Sequence, residues 1–169
     1  MQEKKRVVLV TGASSGIGKA CAERLHRRGY QVYGTSRGAP PPDQVQSDDE
    51  TLIMVQMDVD DDDSVQRGVG WILNRDKIDV LVNCAGFTTA GAIEETEIQE
   101  AKAQFETNFF GVLRVCQAVL PAMRQQGSGY IINISSLASL IALPFQGMYS
   151  ATKSALDRKS TRLNSSHYS

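Results

Sequence analysis

Tyr149 and Lys153 stand four residues apart. On a helix that spacing puts both side chains on one face. A free phenol titrates at about pH 10 and is a poor acid–base group near neutrality, but a neighbouring ammonium favours its anion. A tyrosine so placed can give a proton to a carbonyl oxygen or take one from an alcohol. Taken alone, such a pair also arises by chance on amphipathic helices. Ser136, thirteen residues earlier at the end of an apolar run, turns the balance, because its hydroxyl can hold the same oxygen.

A second constellation is Thr11-Gly12-Ala13-Ser14-Ser15-Gly16-Ile17-Gly18. Here the glycines let the chain turn sharply, and backbone N–H groups at a helix start can meet a diphosphate. The spacing G-x-x-x-G-x-G is not the Rossmann G-x-G-x-x-G. It approaches a P-loop through Gly18-Lys19, but Ala13 and Ala20 stand where that motif needs a glycine and a Mg²⁺-binding hydroxyl. A nucleoside triphosphatase is therefore disfavoured. After the second apolar run comes Thr35-Ser36-Arg37, with no carboxylate for a ribose 2′-OH. Arg37 instead offers a cationic fork suited to a 2′-phosphate, so NADP(H) is expected over NAD(H). The acidic run Asp60 to Asp63 has calcium-loop alternation with Asp58. Asp63 and Val69 occupy the positions that would need Gly and Glu. No metal site is expected, and the run reads as carboxylates at a helix N-terminus.

The elements that must position these groups alternate. Strands are expected at 6–11, 31–35, 52–57, 80–83 and 130–134, and helices at 16–28, 64–75, 97–108 and 109–126, with another beginning near Tyr149. The strands are nearly continuous apolar runs, as in a parallel sheet covered on both faces. The fold class is then α/β, a doubly wound parallel sheet of Rossmann type, reaching the fifth strand and the start of the following helix. Residues 39–47, with Pro40, Pro41 and Pro42, read as a loop.

Thr11 to Gly18 resembles the cofactor motif of the short-chain dehydrogenase/reductase family, in its shorter, non-extended branch. Asn83-Cys84-Ala85-Gly86 resembles that family's N-N-A-G segment, with Cys84 departing. Ser136 and Tyr149-x-x-x-Lys153 match its active-site serine and Y-x-x-x-K, and Asn108 its helix-borne asparagine. The resemblance covers residues 6–156. It implies catalytic roles for Asn108, Ser136, Tyr149 and Lys153. The implied cofactor contacts are Gly12, Ser14, Ser15, Gly16, Ile17, Gly18, Arg37, Asp58, Val59, Asn83, Ala85, Gly86, Tyr149 and Lys153. Asp58 would bind the adenine amino group, Lys153 the nicotinamide ribose, and Asn108 would join a water-mediated proton relay. By its residue type alone, a mid-helix Asn108 reads as a solvated surface residue. The implied function is an oxidoreductase that interconverts a carbonyl and an alcohol by hydride transfer. The alternative is a dinucleotide-binding fragment of such an enzyme, without turnover. The family also implies homo-oligomers, paired through the helices at 109–126 and near Tyr149. Phe87, Leu137, Leu140, Leu143 and Phe145 read either as a substrate-pocket wall or as ordinary core.

Composition agrees with one soluble domain: 169 residues, 41% hydrophobic, 22% charged, 18 basic against 19 acidic side chains and a net charge of -1. That balance gives no reason to expect nucleic acid or an anionic membrane. The three cysteines are scattered, which argues against a disulfide framework. With no leader-like segment evident, a cytoplasmic protein acting on a small molecule is expected. The last residues break the pattern. Asp157 to His167 resembles a translated sequencing-library adapter, so 1–156 reads as an incomplete dinucleotide-binding domain and 157–169 as a non-native tail, with helical order ending at about Leu156.

Overall fold

A computed structural model describes residues 5–45, 52–141 and 143–163. Five strands, β1 (Val7–Thr11), β2 (Gln31–Ser36), β3 (Leu52–Gln56), β4 (Val80–Asn83) and β5 (Tyr130–Asn133), form one sheet in the order β3-β2-β1-β4-β5. All four pairings are parallel, with Val8 opposite Val32 on one side and Val80 on the other. The doubly wound expectation holds.

Every residue of β1 is buried, which is why its sequence is an unbroken apolar run rather than an alternation. Leu9, Tyr33, Val55 and Leu81 form one core layer with residues of α2 (Asp62–Leu73), α4 (Val112–Gln126) and α5 (Gly147–Leu163). Val8, Val10 and Val32 pack on the other face with Ala22 of α1 (Gly16–Arg27). The order in which strands are added switches sides at β1, since β2 and β3 lie to one side and β4 and β5 to the other. Ligand clefts form at such a switch point, beyond the carboxyl ends of the strands.

Several expectations need correction. α2 begins at Asp62 rather than Ser64, because Asp61 caps it by accepting from the Ser64 N–H at 2.6 Å. The expected break between Asn108 and Phe109 is no break. α3 (Ile98–Phe105) runs through a π-turn at Glu106–Gly111 directly into α4. Helical order also does not end at Leu156, since α5 continues to Leu163. Leu156 is nonetheless the last residue seen to be buried, with Asp157 and Arg158 exposed. A polar segment can continue a packed helix without an apolar face of its own. The proline loop contains a short 3-10 turn at Pro42–Gln44. At the edge of the sheet, β5 exposes Tyr130 and Ile132 by 67% and 48%, while Ile131 and, just past the strand, Ile134 pack inward.

Candidate active site

At the carboxyl end of β1 the chain turns through Gly12, whose φ is +66°. A Cβ there would lie 2.8 Å from Ala85 Cα, so only glycine lets this turn touch the end of β4. One helical turn on, a Cβ on Gly18 would sit 2.3 Å from the Gly12 carbonyl oxygen. The two glycines thus seat α1 against its own loop. Thr11 completes the joint, its hydroxyl oxygen accepting from the N–H groups of Cys84 and Ala85, each at 3.1 Å. Thr11 was absent from the expected contacts. Its place at the strand end was a signal, but its partners lie more than seventy residues away.

The start of α1 is open. Ser15 makes no side-chain capping bond and the first turn carries no acidic residue. The start of α2 is closed instead by Asp61, Asp62 and Asp63. Free N–H groups and the positive end of a helix dipole make the α1 terminus an anion site, a role that α2 fills with its own carboxylates.

A cleft of about 680 Å³ runs from this loop across the sheet end. The structure brings most of the expected contacts to its wall: Gly12, Ser14, Ser15, Gly16, Ile17, Gly18, Arg37, Asp58, Val59, Ala85, Gly86, Tyr149 and Lys153. Ser36, Asp60, Thr107 and Ser135 line it as well, without having been expected. Three expected residues lie off the wall. Asn83 is buried and donates to Asn133 Oδ1 at 2.8 Å, tying β4 to β5. Ser136 caps a 3-10 turn at Leu137–Ser139, its Oγ accepting from the Ala138 N–H at 3.2 Å.

Asn108 is the third, and the solvated-surface reading fails: it is fully buried. Its Oδ1 accepts from the Phe87 N–H at 2.9 Å, and its Nδ2 donates to the Phe87 carbonyl at 2.8 Å and to Thr152 Oγ1 at 3.2 Å. The amide therefore clasps both backbone groups of Phe87 and reaches α5. The π-turn that carries it gives no local sequence signal.

Tyr149 and Lys153 share one face of α5, with the Lys153 ammonium 5.7 Å from the Tyr149 ring centroid. Lys153 is only 7% exposed and donates to the Ile134 carbonyl at 2.9 Å. Burial holds its pKa below the ordinary lysine value. Burial also pushes the Cys84 thiol up to about 11, with Cys21 adding to the rise and Lys153 opposing it. Asp60 is likewise raised by burial, against a lowering bond from Thr107.

The five candidate pocket-wall residues are not core: Phe87, Leu137, Leu140, Leu143 and Phe145 are all exposed. Leu143 and Phe145 line a second groove of about 570 Å³ beside residues 89–96. Phe145 adopts φ +61°, the one non-glycine residue at positive φ among those described. Among the described residues no helix is long and apolar enough to cross a membrane, and no cluster of metal-ligating side chains occurs.

Residues 6–168 match the family described as short chain dehydrogenase. A 3-ketodihydrosphingosine reductase from Bacteroides thetaiotaomicron is 42% identical over 159 residues, covering 94% of this chain and 57% of its own length. The chain thus spans little more than half of that curated relative. Among solved structures, a short-chain dehydrogenase from Streptomyces avermitilis superposes with a TM-score of 0.86 at 40% identity, covering 95% of this chain and 60% of the other. ElxO with NADP bound superposes at 0.85 and 31% identity, covering 95% and 68%. The family match over nearly the whole chain and the parallel five-stranded sheet agree: the chain belongs to the short-chain dehydrogenase family.

Proposed function

We propose that the complete protein is an NADP(H)-dependent oxidoreductase that interconverts a carbonyl and an alcohol. The observation that carries this reading is the single cleft wall that holds both the open α1 terminus and the Tyr149–Lys153 pair. The cradle of Gly12 and Gly18, into which no Cβ fits, suits the close approach of a diphosphate. The nicotinamide, when bound, supplies or accepts the hydride. Tyr149 passes the proton to or from the substrate oxygen, and Lys153 stabilises the phenolate. Ser136, whose Oγ accepts from the Ala138 N–H, keeps its own hydroxyl proton to donate to that oxygen. Asp58 receives the adenine amino group, and Arg37, exposed at the end of β2, receives the 2′-phosphate.

A bulky apolar substrate suits the exposed Phe87 on the cleft wall, and a relative named for a sphingoid ketone supports the same class. Pairing of two copies through α4 and α5 remains part of the proposal, as do a cytoplasmic location and a non-native origin for 157–169.

Titration of NADPH and NADH onto the chain, and onto a version extended to the length of its relatives, tests the cofactor assignment. NADPH should bind more tightly than NADH. Arg37→Ala should weaken NADPH alone, by about 1.5–3 kcal/mol, as expected for a lost charge-assisted contact. Equal affinity for the two cofactors before mutation would remove the Arg37 assignment.

A further inference from the structure

The two ends of the cleft are joined by a series of hydrogen bonds that passes through one peptide link of the π-turn. Asp58 Oδ1 accepts from the Asp60 N–H at 3.1 Å. Asp60 Oδ2 accepts from the Thr107 hydroxyl at 2.8 Å. Thr107 precedes Asn108 in the π-turn, and Asn108 grips Phe87 and Thr152. Thr152 donates to the Tyr149 carbonyl at 2.8 Å. Asn108 and Thr152 are both fully buried, so their partners are fixed without competition from water. One member bridges two separate elements through side chains that both line the cleft: the Asp60–Thr107 bond.

We propose that Asp60 and Thr107 are positioning residues, which hold the π-turn in register and thereby couple the Asp58 end of the cleft to the Tyr149 end. The remaining Asp60 oxygen is buried without a partner, so the carboxylate's attachment to this wall rests on the single bond to Thr107. Outside that bond a second, independent clamp joins the same two segments. Arg114 donates to the Val59 carbonyl at 3.1 Å and pairs with Asp62 and Glu106. Loss of the inner bond therefore leaves the outer clamp to maintain the fold.

The test uses the full 169-residue chain, with Asp60→Ala and Thr107→Val to break the bond and Asp60→Asn and Thr107→Ser to preserve an acceptor and a donor. The first readout, amide hydrogen exchange at Phe87, needs no cofactor. Each breaking variant should speed that exchange about tenfold or more, the double variant hardly beyond either single one, and the preserving variants should stay near wild type. The second readout rests on the dinucleotide reading above: the breaking variants should weaken NADPH while leaving 2′,5′-ADP, the adenine half alone, bound as in wild type. Unchanged exchange at Phe87, equal acceleration throughout β1–β4, additive singles, or equal losses for NADPH and 2′,5′-ADP would each overturn the proposal. Failure of wild type to bind NADPH would count against the dinucleotide reading, and the exchange result would still decide the coupling.

Discussion

The cleft is built in two opposite ways. Its glycine end is made of backbone: Gly12 and Gly18 contribute the absence of side chains, and β1 beneath them is wholly buried. Its tyrosine end is made of side chains tied down by other side chains, with Lys153 on the Ile134 carbonyl and Asn108 on Phe87 and Thr152. At the first end added atoms do the damage. At the second, removed atoms do. A glycine cradle has no hydrogen-bond partner to lose, whereas a buried network has no spare partner to offer.

The largest effect should come from adding one methyl group at the glycine end. Gly18→Ala places a Cβ against the Gly12 carbonyl, a contact that backbone must yield to relieve. Over-packing of this kind costs about 3 kcal/mol, and dinucleotide binding should disappear with it. Thermal unfolding and cofactor titration on one sample check both. A variant that still binds normally would show that the close approach does not shape the site.

Asn108→Ala makes the opposite change, removing atoms. It strands the Phe87 N–H and carbonyl in a part-buried setting, for which about 1–2 kcal/mol is expected. The melting temperature should fall, and the Phe87 amide should lose protection while β1 amides keep theirs. Normal stability would mean that water replaces the amide at no cost.

This contrast explains what could be read from the sequence. The glycine end was legible because a strand buried on both faces leaves an apolar run, and a turn that tolerates no Cβ leaves glycines at fixed spacing. Tyr149 and Lys153 were legible for a similar reason, since helical spacing alone puts them on one face. Asn108 was misread as surface on residue type, because its partners, Phe87 and Thr152, are 21 and 44 residues away. The π-turn left no mark in composition or period. Thr107 and Asp60 were passed over likewise: a hydroxyl and a carboxylate in an acidic run look like solvated helix dressing until the fold brings them to 2.8 Å. The continuation of α5 past Leu156 was missed because apolar periodicity reports burial, and Asp157 and Arg158, the next two residues, are exposed.

A subtler effect sharpens the comparison through pH. Burial lowers the Lys153 pKa from 10.5 in the folded chain. With respect to this group the unfolded chain holds more protons between the folded value and 10.5, so the Lys153 contribution to stability rises with pH across that window. Below the folded value the cost of burying the ammonium is present in full. Lys153→Met should remove this alkaline gain, seen as a melting temperature that rises less, or falls more, with pH than that of wild type. Identical slopes for the two proteins would mean that Lys153 is not desolvated.

The most direct measurement deletes a single oxygen at the tyrosine end and asks the glycine end whether it noticed. In the complete protein, NADPH binding and carbonyl-dependent NADPH oxidation are measured side by side for wild type and Tyr149→Phe. The account predicts equal NADPH affinity and a turnover reduced by about 10²-fold or more, the contribution of a positioned acid–base group. Turnover within a few-fold of wild type, with cofactor still bound, would contradict it.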